Sequence, residues 1–198
     1  MRVWLAGAGL LTAVATWTSA VGAVQYTVDP AHTSVTFQVR HLFTQVSGRF
    51  DRFSGTIDFD PAQPAQAKVA GSIEAASIST NNDKRDQDLR SSKFFDVEKF
   101  PTITFTSTAV PQVDAAKLIG KMDGKLTIHG VERPIVIDVA YLGAGKDPWG
   151  KQRAGFSGRT TINRKDFGLT WNQALETGGV LVGDEVTIDL QIEAVAGQ

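Results

Sequence analysis

Apolar residues recur along this chain mostly at every second position. Val35, Phe37 and Val39 alternate with Thr36, Gln38 and Arg40. Phe53, Gly55, Ile57 and Phe59 alternate with Ser54, Thr56 and Asp58. The same rhythm holds for Ile103 and Phe105, for Gly120 through Ile128, and for Val186 through Ile192. Strict alternation predicts strands with one dry face and one wet face. Such strands pair antiparallel, because parallel sheets are covered on both sides.

Turn signals punctuate the runs: Asp60-Pro61, the glycine-rich stretch from Gly143 to Gly150 with Pro148, and Gly178-Gly179. His129-Gly130 lies between two apolar runs and predicts a tight hairpin. Roughly eight strands follow, evenly spaced and without intervening helices, which points to a barrel or a sandwich. One segment breaks the rhythm. Residues 80–98 are polar and charged, with Leu89, Phe94 and Phe95 as their main apolar members. Asn81 or Asn82 is placed to cap a short helix starting near Asp83, so a helical excursion is predicted near residues 81–97.

The interior face mixes large side chains (Phe37, Phe105, Met122, Phe156) with Gly120, Gly124, Gly155 and Gly158. Small interior residues leave space, and an eight-stranded barrel either fills itself or holds one small ligand. Patterning alone leaves both outcomes open.

Composition narrows the function classes. The 198 residues suit one domain, and Lys+Arg (20) nearly balance Asp+Glu (21). No basic cluster builds a nucleic-acid face. The chain has no cysteine, which removes disulfides, thiol catalysis and cysteine metal sites. Its histidines, His32, His41 and His129, lack the paired spacing of a zinc helix, so no metal is expected. No G-x-S-x-G elbow, phosphate loop or dinucleotide fingerprint occurs, and no catalytic residue is assigned.

The first residues have the layout of an export signal: Arg2, an uncharged apolar run from Val3 to Ala15, then small residues at Val21-Gly22-Ala23, with Thr18-Ser19-Ala20 as a second cleavage option. The alternative is an uncleaved N-terminal anchor, since no charge follows Arg2 until Asp29, but the apolar run is shorter than the roughly 20 residues that span a bilayer. The expected organisation is a cleaved signal over 1–23 and a single barrel domain over 24–198.

Four segments carry a family resemblance. They are YTVDPAHTSVTFQVRHLFTQVSGRF (26–50), RDQDLRSSKFFDVEKFPTITFT (85–106), GKLTIHGVERPIVIDV (124–139) and FSGRTTINRKDFGLTW (156–171). Together they resemble the YceI-like family of lipocalin-like, polyisoprenoid-binding barrels. The resemblance implies an elongated eight-stranded antiparallel barrel with an apolar tunnel, in the periplasm. It also implies an amphiphilic lipid ligand such as an isoprenoid quinone or a polyprenyl phosphate. No cofactor is required. Transient membrane contact and a homodimer are compatible with it. Asp88 departs from the family pattern, which often has His there.

On this reading the tail contacts are Phe37, Val39, Phe105, Met122, Leu126, Ile137, Tyr141, Phe156 and Trp171. Head-group candidates are His41, Arg85 and Arg90, since guanidinium groups receive phosphate in a fork. The alternative for Arg85 is an ion pair with Asp86, and for His32 and His41 a hydrogen bond to a turn, with Asp29 in the same network. Arg164, Asp166 and Trp171 form a predicted corner. Two other functions stay open: an enzyme acting on an isoprenoid or quinone head group, and a ligand-free stress-response barrel.

Overall fold

The fold was analysed in a computed structural model that describes residues 22–175 and 179–197. Most of the expected export signal lies outside these residues, as does Gly178 of the Gly178-Gly179 turn. In chain order the elements are β1 (Val24–Val28), β2 (Ser34–His41), β3 (Thr44–Phe50), β4 (Phe53–Phe59), β5 (Lys68–Glu74) and β6 (Ile78–Ser79). Then come α1 (Asp83–Arg90), β7 (Thr102–Asp114), β8 (Ile119–Ile128), β9 (Val131–Lys146), β10 (Gln152–Asn163) and β11 (Val182–Ala196).

Two bent strands explain how these segments make a closed eight-stranded antiparallel barrel. β1 and β2 are halves of one strand, broken by a turn over Pro30–His32. β3 and β4 are halves of the next, broken at Asp51-Arg52. β1 pairs with β4 and β2 with β3, so the two bent strands form one hairpin. From β4 the wall continues through β5, β7, β8, β9 and β10 to β11. β11 then closes the ring by pairing with β2 along Val182–Gln191 and with β1 along Ala194–Ala196. The ring is closed, but β3 pairs on its second side only at Arg49 and Phe50, with β6, so the wall is incomplete there.

Local chemistry sets the turns. His129 (φ 52°) and Gly130 (φ 73°) both adopt left-handed backbone between the paired Ile128 and Val131. That is the conformation a two-residue hairpin of the mirror-image type requires. Asn82 caps α1 by accepting from the Arg85 backbone N–H at 3.0 Å. At the first bend, Asp29 accepts from the Ala31 N–H at 3.1 Å.

Period two then decides which residues face inward. Phe156 and Gly158 point to the interior, so Gly155 cannot. A Cβ built on Gly155 meets the exposed Leu142 at 3.4 Å, on the outer face. The expectation of an interior Gly155 is corrected accordingly: neighbours in a strand lie on opposite faces. A bulge between Gly155 and Phe156, opposite Gly143, shifts the register there.

The interior packs as two clusters. One gathers Val35, Phe50, Ile78, Ile103, Ile128, Ile162 and Phe167 at the α1 end. The other gathers Tyr26, Ile57, Phe59, Ala154 and Ala194 at the opposite end.

Candidate functional site

Between the two clusters the inward faces of the strands enclose a cavity of about 310 Å³. That lies at the lower edge of the range for sites that hold a drug-sized molecule. Its wall is built by alternation. Val35, Phe37 and Val39 come from β2, Met122 and Leu126 from β8, and Ile137, Val139 and Tyr141 from β9. β11 adds Val186, Ile188, Leu190 and Ile192.

Aromatic groups close one end. Phe59 lies 4.8 Å from Tyr141 and 5.4 Å from Phe156, and Tyr26 stands edge-on to Phe156 at 6.0 Å. Burial, helped by the nearby Tyr141, pushes the Tyr26 hydroxyl above its ordinary pKa, so it stays neutral there. At the other end, α1 and the loop after it bring in Leu89, Phe94 and Phe95. Phe95 packs edge-on against Phe50 at 6.0 Å.

Eight of the nine tail candidates line the cavity: Phe37, Val39, Phe105, Met122, Leu126, Ile137, Tyr141 and Phe156. Trp171 is absent from the wall; its ring packs at a tilt against that of Phe94, which does line the cavity, with centroids 5.0 Å apart. The head-group candidates are placed elsewhere. His41 ends β2, paired with Thr44 and Val182. Arg85 donates to the Thr80 hydroxyl at 2.7 Å and the Thr80 carbonyl at 2.9 Å. Arg90 donates to the carbonyls of Ala76 (2.8 Å) and Ile78 (2.7 Å). Both guanidinium groups are thus committed to backbone, tying α1 to the edge of β6, and none of the three residues lines the cavity.

The expected Arg85–Asp86 ion pair is corrected too. Asp86 is buried and accepts from the Thr80 N–H at 2.8 Å and from its hydroxyl. Arg85 and Asp86 therefore grip the same threonine rather than each other. Asp88 is exposed on α1, away from the cavity wall.

Among the described residues, the one charged side chain of the lining is Arg164. It is 5% exposed. Its guanidinium donates to the carbonyls of Gly183 (2.9 Å), Leu169 and Trp171 (2.9 Å), with Asp184 at 3.4 Å. Burial holds its pKa below the usual arginine value, while Asp184 opposes the shift. Of the predicted corner, Arg164 and the Trp171 carbonyl do meet, while Asp166 is exposed; Arg164, not Trp171, is the corner residue on the cavity wall.

A second charged group lies on the outer surface. Arg153 bridges Asp29 (2.7 Å), Asp147 (2.9 Å) and Glu193 (2.6 Å), and His32 Nδ1 lies 3.0 Å from Asp29. Donor atoms of Asp29, His32 and Glu193 lie within 4.8 Å of one another, a spacing compatible with a metal. Arg153 already supplies the positive charge among them, so the group is an ion-pair network. The Arg153 and His32 contacts hold the Asp29 carboxyl down to about 2.

A closed antiparallel barrel around an apolar cavity defines a lipocalin-like protein. The chain belongs to the YceI-like domain family, whose model matches residues 26–194. A UPF0312 protein of Vibrio cholerae is 41% identical over 162 residues, 80% of this chain and 85% of that one. The crystal structure of Burkholderia cenocepacia BcnA superposes with a TM-score of 0.74 at 27% identity, over 84% of this chain and 99% of that one. A domain of Saccharophagus degradans described as polyisoprenoid-binding shares the fold (TM-score 0.62, 18% identity), over 88% of this chain and 99% of that one.

Proposed function

We propose that this protein binds one amphiphilic isoprenoid-class lipid, with the tail in the barrel cavity, and sequesters or carries it in the periplasm. The ligand is of the isoprenoid quinone or polyprenyl phosphate class. The observation that carries the reading is the cavity itself. Its lining reaches from Phe59 and Tyr141 at one end to Phe94 and Leu169 at the other and, among the described residues, carries a single charged side chain. The description of the Saccharophagus degradans domain as polyisoprenoid-binding points the same way.

The physics suits a tail. Burying a methylene is worth about 0.8 kcal/mol, so an isoprene unit contributes roughly 3–4 kcal/mol against water. The bilayer offers a similar gain, so a carrier needs a dry cavity and not much polar chemistry. An enzyme acting on a head group would need several polar groups converging on the cavity. Arg164 is instead occupied by backbone carbonyls. A ligand-free barrel would be expected to fill its interior with its own side chains.

Native mass spectrometry of protein purified from its own host, followed by analysis of an organic extract, tests the reading. Near-stoichiometric isoprenoid lipid is expected. Protein that is ligand-free and fails to take up added isoprenoid alcohol would overturn it.

A further inference from the structure

Two phenylalanines of the cavity wall lie in hollows left by glycines. Phe37 and Gly48 face each other across the β2–β3 pair. A Cβ built on Gly48 would fall 2.3, 2.7 and 3.0 Å from three atoms of the Phe37 ring. In the β7–β8 pair, a Cβ on Gly124 would fall 2.3 Å from each of two Phe105 ring atoms. Such distances are far inside van der Waals contact, so each ring rests in the space of the missing side chain. The two pairs occupy separate arcs of the wall, with β5 between them on one side and β9, β10 and β11 on the other.

A ring over a cross-strand glycine shields backbone and stabilises the strand pair. In this barrel it has a second effect. A phenyl ring on an inward position normally projects into the lumen and fills it. Here each ring occupies space over a glycine that a wall side chain would otherwise take, so less of the ring is left to fill the lumen. Width matters for an isoprenoid more than for a linear chain. A polyprenyl tail carries a methyl branch on every repeat, whereas an alkyl chain of equal main-chain length is uniformly thin.

We infer that Gly48 and Gly124 set the bore of the cavity and thereby select methyl-branched isoprenoid tails over unbranched acyl or alkyl chains. This rests on the proposed lipid-binding function. Gly48 is the cleaner position to test, because its neighbours are atoms of one side chain. At Gly124 a Cβ would also meet the Thr106 carbonyl oxygen at 2.8 Å. With Gly48→Ala, the Phe37 ring must withdraw by about 1.1 Å before ordinary contact begins at 3.4 Å. The wall lies behind it, so the ring moves towards the lumen.

The experiment is competition between geranylgeraniol and hexadecanol, read by native mass spectrometry. The two alcohols share a main-chain length and differ in branching and unsaturation. The wild-type protein is expected to prefer geranylgeraniol. Each methyl group that loses its place is worth roughly a factor of four, so Gly48→Ala is expected to lower the preference about four- to fifteen-fold. Gly48→Ala with Phe37→Leu, which removes the ring, is expected to restore it. If Gly48→Ala does not fold, Phe37→Trp puts too large a ring on the same hollow, and the same loss is expected. A folded Gly48→Ala or Phe37→Trp protein with the wild-type ratio overturns the inference, as does wild-type protein that binds both alcohols equally. Wild-type protein that binds neither alcohol overturns the lipid-binding function itself.

Discussion

Arg153 of β10 and Asp29 at the bend between β1 and β2 are 124 positions apart in sequence, and their side chains meet at 2.7 Å. The contact joins the bend of the first wall strand to β10, which lies on the far side of β11. Asp29 has a second task, since its other oxygen caps the turn that makes the bend. The residue therefore links local turn chemistry to closure of the barrel.

That link makes stability depend on acid pH. The Asp29 carboxyl sits at about 2 in the folded protein, against an ordinary value of 3.8. A carboxyl with a lowered folded-state pKa stabilises the fold fully above its unfolded value and loses that contribution as pH falls through the folded value. Thermal melts of wild-type protein and Asp29→Asn are expected to differ most above about pH 4. They should converge as pH approaches about 2. A difference that stays constant over this window would show that the charge of Asp29 does not contribute.

The anchor of α1 gives a second expectation. Asp86 accepts from both the N–H and the hydroxyl of buried Thr80, and Arg85 and Arg90 hold the adjoining backbone. Asp86→Ala leaves the Thr80 donors without a partner, at a cost of about 1–3 kcal/mol. Chemical denaturation is expected to show this loss. Hydrogen exchange should place it in residues 80–97, because α1 spans a place where the strand wall is incomplete. Loss of protection spread evenly over all strands would contradict that assignment.

A third concerns the His129-Gly130 hairpin. Gly130 has φ 73°, and a Cβ there would fall 2.5 Å from the Phe100 ring. Left-handed backbone costs a residue with a side chain roughly 1–2 kcal/mol, and displacement of Phe100 adds to this. Gly130→Ala is therefore expected to destabilise the protein by at least about 1 kcal/mol, measured by urea unfolding. Gly150, at a similar positive φ (84°) but with open space around it, is the control: Gly150→Ala meets only the backbone cost.

Much of this arrangement was legible in the sequence, for definite reasons. Alternation over Val35–Val39, Gly120–Ile128 and Val186–Ile192 reports directly which residues face inward, because strand geometry leaves no other choice. The Asn82 cap and the His129-Gly130 turn are local, so a few neighbouring residues encode them. The head-group end was not legible in the same way. Arg85 and Arg90 resemble anion-binding residues in sequence, but their partners are carbonyls at 76, 78 and 80 that only the fold brings near. Within the Arg164–Trp171 corner, the sequence favours the aromatic Trp171 as the residue facing the cavity, and only the fold shows that Arg164 takes that place. Gly155 is small enough to suit an interior position, but strand parity with Phe156 puts it on the outer face.

Arg164 gives the last expectation, since it has a structural role and a place on the cavity wall. Three backbone carbonyls, those of Leu169, Trp171 and Gly183, converge on its guanidinium. Arg164→Met keeps the apolar stem and removes every donor. Hydrogen bonds from a charged group contribute about 1.5–3 kcal/mol each, so the loss is expected to be at least about 2 kcal/mol. Arg164→Lys keeps the charge but cannot reproduce the planar fork that reaches several carbonyls at once. It is expected to recover less than half of the loss. If the arginine serves only the corner, lipid uptake by folded Arg164→Lys protein will match the wild type for an isoprenoid alcohol and for its phosphate alike. If it also faces a bound head group, the phosphate will lose affinity while the alcohol does not. Paired titrations of the two ligands at a temperature where the variant is fully folded separate these outcomes.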